Sequence, residues 1–244
     1  MQPKLSFIFF LILWFLCILI PAQENQALNQ AHALIYSNPE KSIQLAEKIY
    51  AESKEAPKVQ LSALIILGAA YSEKFEVEKS IEHLQQAQKM AEEQKDYINQ
   101  IRILSLLGYQ YQILQINDKA HDYLDRAETI MEQRPLPDSL LYLRGNNYSI
   151  KSLAYKESLD CDYAVEYFNK AIDVYKKLSE SEMGQTNLCI AYLNKSSCFL
   201  ENQNLDSAWS SLQKTNQLLK KINVADDITV SQNAALGKYY YLIR

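Results

Sequence analysis

Three histidines, His32, His83 and His121, are the first side chains to consider for chemistry, since imidazole is a common metal ligand and general base. None of them has a second His or a Cys at metal-ligand spacing, and the His-Glu-x-x-His pattern is absent. The five glycines form neither a phosphate-binding loop nor a Gly-x-Ser-x-Gly nucleophile turn. The sequence therefore predicts no catalytic residue, no metal and no cofactor, and the protein is expected not to be an enzyme. We expect His83 and His121 to have a structural role at the solvated edge of helices.

Cysteine thiols are the second candidates for chemistry. Cys161, Cys189 and Cys198 lie outside the apolar N-terminal run, which contains Cys17. Because three is an odd number, at least one of these thiols stays unpaired in a monomer. Cys189 and Cys198 are nine positions apart on one predicted helix, about 13 Å of helical rise, which is too far for a disulfide. The favoured interpretation is that all three are small buried apolar residues.

The charge and composition limit the possible partners and the fold class. Lys and Arg number 25 against 29 Asp and Glu, so the net charge is −4. This balance argues against a nucleic-acid partner, which needs a basic surface. The chain has only 5 Gly and 6 Pro, fewer turn-forming residues than a sheet-rich protein of this length needs. The composition therefore favours an all-α fold.

A pattern of small and aromatic residues repeats along the chain and predicts pairs of helices. If the small residue of each first helix is numbered position 8, that position holds Gly68, Gly108, Ser152, Ser196 and Gly237. Position 11 is always aromatic, and positions 20 and 27 on the second helix are small, apart from Thr215. Offsets of three, four and seven place these residues on one helix face. Position 20 holds Ser80, Ala120, Ala164 and Ala208.

This spacing resembles that of the tetratricopeptide repeat (TPR) family, over about Gln26 to Arg244. The resemblance implies a right-handed α-solenoid of TPR-like helix hairpins. The usual period is about 34 residues, whereas the position-20 residues here are 40, 44 and 44 apart. Within a repeat the spacing is constant, so the additional residues lie between repeats and lengthen the flanking helices. Position 7 departs from the pattern in two repeats, with Lys151 and Lys195 in place of leucine.

The repeat boundaries follow from caps and turns such as Arg134 to Asp138 and Ser179 to Gly184. Asn117 and Asn204 are expected to cap second helices. Helices are predicted at 24–36, 39–53, 57–73, 76–94, 96–114, 118–133, 138–157, 161–179, 185–202, 205–222 and 228–243. The predicted array occupies 23–244, with repeats at 24–55, 57–95, 96–134, 138–180, 185–223 and an incomplete 228–244.

The first 22 residues have the pattern of a secretory signal peptide. Lys4 precedes an uncharged run from Leu5 to Ile20, and Pro21-Ala22 is followed by a polar stretch. We predict cleavage after Ala22 and an exported, periplasmic protein, which would be membrane-tethered if the signal stays uncleaved or if a downstream membrane span is missing from this sequence. Cys17 lies inside the run rather than at its end, which excludes a lipoprotein acceptor. No later apolar run is long enough to span a membrane.

The TPR resemblance implies a concave surface lined by positions 2, 5, 9, 12 and 13 of the first helices. Chaperone-binding TPR proteins hold a carboxylate with Lys and Asn at positions 5 and 9, and their absence here argues against that ligand. Tyr109, Arg102 and Lys156 are the expected anchors, since Tyr and Arg are frequent at binding hot spots. The predicted partner-binding residues are Arg102, Ser105, Tyr109, Gln112, Asn146, Ser149 and Lys156.

Two functions are consistent with these observations. The first is a scaffold that binds a protein or peptide in an exported compartment. The second is the extracytoplasmic sensor portion of a larger membrane-bound bacterial transcription regulator or histidine kinase, truncated here. The second hypothesis rests on the incomplete sixth repeat, where Gly237 and Tyr240 begin a helix pair and the sequence stops at Arg244.

Overall fold

The computed structural model describes residues 26–158, 160–222 and 226–244, with only the backbone of Asp226 and Asp227. The predicted signal peptide lies outside these ranges. The described residues contain helices and turns but no strand. Helix α1 ends at residue 33. The following helices are α2 (Pro39–Glu52), α3 (Pro57–Glu73), α4 (Val77–Glu93), α5 (Tyr97–Ile113), α6 (Asn117–Gln133), α7 (Leu141–Glu157), α8 (Cys161–Lys177), α9 (Glu182–Glu201), α10 (Leu205–Leu219) and α11 (Asp226–Leu242).

These helices agree with the predicted ones to within a few residues, and the differences have local causes. Helix α9 begins at Glu182, three residues earlier than predicted, because the Ser181 hydroxyl accepts a hydrogen bond from the Gly184 amide. Asn204 caps α10 as expected, since its Oδ1 accepts from the Ser207 amide at 3.2 Å. The prediction for Asn117 is wrong. Asn117 is the first helical residue of α6, and the preceding cap residue, Ile116, makes no side-chain cap.

The chain is organised as two compact units, with the boundary between Leu106 and Leu107 inside α5. In the N-terminal unit, α3 packs on both α2 and α4. Its core consists of the repeat-position residues of these helices, including Leu61, Leu64, Leu67 and Leu84. In the C-terminal unit, α7, α8, α9 and α10 pack in sequence, each on the next. Each unit is therefore built from helices that contact their neighbours along the chain, as expected for helical repeats.

The two helices of a hairpin approach each other closely at position 8 in the second and third repeats. A Cβ atom on Gly68 would lie 2.5 Å from Leu84 Cγ, and one on Gly108 would lie 2.6 Å from Leu124 Cγ. Neither distance leaves room for a methyl group, so in these two repeats glycine provides the space that the leucine at position 24 of the second helix occupies. The small residues predicted at this position thus allow the close approach of the two helices.

A hydroxyl group at position 20 joins the two helices in the N-terminal unit. Ser80 Oγ donates to the Gly68 carbonyl at 2.7 Å, and Ser42 Oγ donates to the Ala31 carbonyl at the same distance. Both hydroxyls are buried. The common hydrogen bond identifies Ala31 as the position-8 equivalent of the first repeat, whose first helix matches the sequence pattern poorly.

The turn between the helices of a hairpin has the same backbone geometry in three repeats. Phe75, Gln115 and Gln203 have φ of 58°, 57° and 56°, in the left-handed region. The next amide in each turn donates to the carbonyl of the position-11 aromatic residue, at 3.0 Å for Tyr71, 2.9 Å for Tyr111 and 2.8 Å for Phe199. This is the hydrogen bond of a Schellman C-cap, which ends the first helix.

Polar side chains also connect each first helix to the second helix before it. Gln100 Nε2 donates to the Ala91 carbonyl at 3.0 Å, and Arg144 Nη2 donates to the Met131 carbonyl at 2.9 Å. Each donor lies eight residues before position 8 of its own repeat. The Arg144 side chain satisfies a carbonyl at the C-terminal end of α6, where the residue four positions on is Pro135, and the Ala91 carbonyl also accepts from the Asp96 amide at 2.9 Å.

We predict opposite effects for the same substitution at two glycines. Gly108→Ala should destabilise the protein by roughly 1–3 kcal/mol, because the new methyl group overlaps Leu124. Gly237→Ala should stabilise it by up to about 1 kcal/mol, because alanine is the better helix former and nothing lies within 4 Å of the added Cβ. Urea unfolding followed by circular dichroism measures both values. Equal effects at the two positions would contradict the close-approach model.

Candidate binding surface

The predicted residues of α5 lie on either side of the boundary between the compact units. In the N-terminal unit, Arg102 Nη1 donates to Asn99 Oδ1 at 3.2 Å, and Asn99 Nδ2 donates to Asp96 Oδ2 at 2.8 Å. Asp96 immediately precedes the helix, and its carboxylate also accepts from the Asn99 amide at 3.1 Å. Arg102 is half-buried, and Ser105 is buried. The first turn of α5 thus orients the Arg102 guanidinium group.

Tyr109 and Gln112 belong to the C-terminal unit, on the second half of α5. Both side chains are half-buried. Tyr109 follows Arg102 by seven residues in the sequence.

On α7, Asn146 and Ser149 meet at a residue that the sequence analysis did not select. Tyr175 of α8 donates its hydroxyl to Asn146 Oδ1 at 2.9 Å, and the hydroxyls of Tyr175 and Ser149 are 3.2 Å apart. Tyr175 is 2% exposed, and its burial raises its pKa to about 12. A Cβ on Gly145 would lie 2.5 Å from the Tyr175 ring, so the glycine provides the space that the ring occupies. Tyr175 follows Ala171 by four residues on the same helix face, and this signal could have identified it.

Lys156 at the end of α7 forms an ion pair with the end of α9. Its Nζ lies 3.4 Å from Glu201 Oε1, and both side chains are partly exposed. Ser197 Oγ donates to the same carboxylate at 3.2 Å, and the Cys161 thiol lies 3.8 Å from its other oxygen. The Lys156 ammonium is therefore already neutralised in this conformation, and a partner would compete with Glu201 for it.

Lys151, at position 7 of the fourth repeat, forms an ion-pair cluster that connects two repeats. Its side chain is 5% exposed, and its Nζ lies 2.6 Å from Glu128 Oε2 and also contacts the Asp125 carboxylate. The same ammonium lies 4.4 Å from the centre of the Tyr167 ring. Burial alone would lower the pKa of Lys151, but hydrogen bonds to Asp125 and Glu128 outweigh it and raise the pKa. The lysine thus stays charged inside the contact between α6 and α7.

The position-11 aromatic side chains stack on the residue at position 23 of the second helix. Tyr71 stacks on His83 with ring centres 5.3 Å apart, Tyr111 on Tyr123 at 5.4 Å, and Tyr155 on Tyr167 at 5.5 Å. His121 packs on Tyr155, with ring centres 4.2 Å apart. Both histidines are half-buried against aromatic rings rather than at a solvated edge as expected. Burial lowers the pKa of each.

Across the described ranges, no group of three or more His, Cys, Asp or Glu side chains is arranged to hold a metal ion. Within the same ranges, no helix has the length and apolar character needed to cross a membrane.

No protein-family model matches this chain, and no curated protein matches it. Among solved structures, the apo form of RapI is 17% identical with a TM-score of 0.65, over 90% of this chain and 58% of RapI. NprR in complex with its cognate peptide NprX is 15% identical with a TM-score of 0.63, over 91% of this chain and 63% of NprR. A putative kinesin light chain from Podosopora anserina, with nearly identical TPR-like repeats, is 16% identical with a TM-score of 0.59, over 82% of this chain and 97% of its own.

The chain has a TPR-like fold. The prediction of an all-α protein built from TPR-like helix hairpins is confirmed. The chain spans less than two thirds of RapI and of NprR. At these low identities the likeness concerns the fold, and the seven predicted partner-binding residues stay a prediction.

We predict that Lys151→Leu destabilises the protein, although leucine is the residue at this position in α3 and α5. The substitution leaves the Glu128 carboxylate, whose side chain is 15% exposed, without its cation, at a cost of roughly 1–3 kcal/mol. The double variant Lys151→Leu/Glu128→Ile should recover part of the loss, since Ile172 lies at the position of Glu128 in the next repeat. Chemical denaturation measures the free energy of unfolding of each variant.

Lys195→Leu is the matched control for this experiment. Lys195 lies at the same repeat position, but its Nζ donates to the neutral amide oxygen of Asn169 at 2.6 Å. Because no charge is left unpaired, its effect should be smaller than that of Lys151→Leu. If Lys151→Leu is as stable as the unsubstituted chain, the ion-pair cluster does not hold the two repeats together.

The two half-buried histidines predict a fall in stability as the pH drops. A lowered pKa in the folded state means that the unfolded chain, with a histidine pKa of about 6.5, binds protons more readily. The neutral histidines contribute fully to the stability of the folded state when the pH is above the pKa of the unfolded chain. This contribution is lost as the pH falls towards the lower histidine pKa of the folded state. His83→Tyr and His121→Val introduce residues found at equivalent repeat positions, and each should reduce the loss of stability between pH 7.5 and 5.5. Parallel urea curves at the two pH values test this, and an unchanged pH dependence in the double variant would refute it.

Proposed function

We propose that this protein is a non-enzymatic scaffold that binds a protein or peptide in an exported compartment. The observation that carries the proposal is the TPR-like fold over most of the described chain. NprR, which matches 91% of this chain, was determined in complex with a peptide. An array of helix hairpins presents side chains on a series of first helices, and such a surface suits an extended or helical ligand.

The proposed binding residues have a common physical property that supports this function. Asn146, Ser149 and Lys156 are half-buried, and each has a polar partner within the C-terminal unit. These partners hold the side chains in defined conformations, which lowers the entropy that a bound ligand must remove. A ligand carboxylate can replace Glu201 as the partner of Lys156, since both side chains are partly exposed and water can solvate the displaced carboxylate.

Arg102 and Tyr109 are the proposed anchors on α5. Arginine and tyrosine combine a large contact area with directional hydrogen-bond donors, and both are enriched at interface hot spots. Arg102 is oriented by Asn99 in the N-terminal unit, and Tyr109 is half-buried in the C-terminal unit.

We predict that the double variant Arg102→Ala/Tyr109→Ala binds peptide ligands at least about tenfold more weakly, because it removes both anchors. The probes are peptides selected from a displayed random library on the immobilised full-length chain. Fluorescence anisotropy gives Kd for each variant, and circular dichroism confirms that helicity is unchanged.

The matched control is Gln85→Ala/Lys89→Ala, which removes two exposed side chains from the second helix α4. This variant should bind the selected peptides with unchanged affinity. Failure to enrich any peptide would contradict the scaffold function. Equal affinities for the two double variants would show that ligands bind elsewhere than the proposed surface.

Export is a separate part of the proposal and rests on the signal-like sequence of residues 1–22. When the full coding sequence is expressed in a bacterium with an outer membrane, the protein should be found in the periplasmic fraction. Its N-terminus, determined by Edman sequencing, should be Gln23. Recovery of the uncleaved chain in the cytoplasm would refute the exported location and leave the peptide-binding test unaffected.

A further inference from the structure

Two of the three described cysteines come together at the contact between the fourth and fifth repeats. Cys161 is the first residue of α8, and Cys198 lies in the last two turns of α9. Both belong to one buried cluster, which also contains Ala164 and Phe168. Cys161 is 7% exposed and Cys198 is 0% exposed. The cluster thus brings together two thiols that are far apart in sequence.

Cys161 and Cys198 pack in the same buried cluster. Burial is the main cause of the raised pKa of both thiols, and each thiol also contributes to the pKa of the other. Both thiols are free in this structure. Cys161 also contacts Glu201 Oε2 at 3.8 Å, so its sulfur lies between Cys198 and a carboxylate.

Cys189 is separated from this pair by the geometry of α9. It lies nine residues before Cys198 on the same helix, so about 13 Å of helical rise separates the two Cα atoms. Its sulfur lies 3.9 Å from the Thr215 carbonyl of α10, and burial raises its pKa to about 11. Cys189 therefore faces the fifth repeat's own second helix and is the unpaired member of the three.

We propose that Cys161 and Cys198 form a disulfide that joins α8 to α9, with Cys189 remaining a thiol. The oxidant is a disulfide, either a small molecule such as oxidised glutathione or a thiol–disulfide oxidoreductase. The Cys161 thiolate attacks the oxidant, forming a mixed disulfide and releasing one thiolate. Cys198 then loses its proton and attacks the Cys161 sulfur, which releases the second thiolate. Two protein thiols are oxidised, one disulfide is reduced to two thiols, and the two protons are taken up by the released thiolates.

Burial determines when this reaction can occur. At neutral pH the raised pKa values keep both groups protonated, and a thiol is a far weaker nucleophile than a thiolate. Neither sulfur is open to a large oxidant once the cluster has formed. We therefore expect the bond to form during folding, when the cysteines are still accessible, and then to resist reduction in the folded protein.

The crosslink would change the proposed binding surface in one respect. In the reduced protein, Glu201 is contacted by Cys161, Ser197 and Lys156. Oxidation removes the thiol proton of Cys161 from this group and ties the start of α8 to the end of α9. Lys156 and Glu201 would then be held in place by a covalent bond between neighbouring repeats.

The experiment refolds the full-length chain, with Cys17→Ser in every sample, from denaturant in a mixture of reduced and oxidised glutathione. Remaining thiols are blocked with iodoacetamide, and the tryptic peptides are identified by mass spectrometry without reduction. The three cysteines fall in different tryptic peptides, namely 157–170, 178–195 and 196–214. The expected result is a dominant crosslink between 157–170 and 196–214, with 178–195 alkylated. A sample oxidised in denaturant, in which any two of the three cysteines can form a disulfide, is the reference for random pairing.

A thermal measurement distinguishes a specific disulfide from an incidental one. Samples reduced in denaturant and refolded in reductant should have a Tm roughly 5–10 °C below that of the oxidised samples, both for the unsubstituted chain and for Cys189→Ser, because the crosslink restricts the unfolded chain. Cys161→Ser and Cys198→Ser should show no dependence of Tm on reductant. The proposal is overturned if 178–195 is the main crosslinked peptide, if folded and denatured samples give the same distribution, or if the Tm of Cys189→Ser does not depend on reductant.

Discussion

The close approach of the two helices at position 8 is the constraint on which the hairpins depend. Gly68 and Gly108 leave space for the leucine at position 24 of the following helix, and a single added carbon would overlap that side chain. In later repeats Ser152 and Ser196 take this position, and each is fully buried with its hydroxyl donating to a carbonyl three residues earlier in its own helix, at 2.6 Å. The intrahelical hydrogen bond satisfies each buried hydroxyl, and position 24 in these two repeats holds Phe168 and Leu212. The other core residues, from position 4 to position 27, pack around this contact.

Polar groups make an important part of the contact between α6 and α7, which belong to neighbouring repeats. Arg144 and Asn147 of α7 both donate to carbonyls of α6, at 2.9 and 3.2 Å. Lys151 of the same helix is buried against two carboxylates of α6. A purely apolar contact would tolerate several registers of one helix on the other. Hydrogen bonds to particular carbonyls and a buried ammonium group favour one register, because any shift leaves a buried polar group unpaired.

The predicted binding residues are engaged in the folded protein, and this has a consequence for affinity. Asn146 and Ser149 contact the Tyr175 hydroxyl, and Lys156 contacts Glu201. A ligand at the proposed surface would have to replace these interactions, so the net gain from each polar contact would be small. Affinity would then depend on apolar contact area, while the polar residues discriminate between ligands by rejecting those that leave a group unpaired.

The sequence alone determined the helices, their pairing into hairpins and the residues at the hairpin contact. These features follow from local spacing, since a helix face is defined by residues three, four and seven apart, and from the exclusion of large side chains where helices meet. The tertiary structure alone decided which distant side chains meet. Ala31 corresponds to the small residue of the first repeat, Tyr175 joins Asn146 and Ser149, and Cys161 lies beside Cys198. Such contacts depend on the rotation and axial shift of one helix relative to the next, and neither is encoded in the periodicity of a single helix.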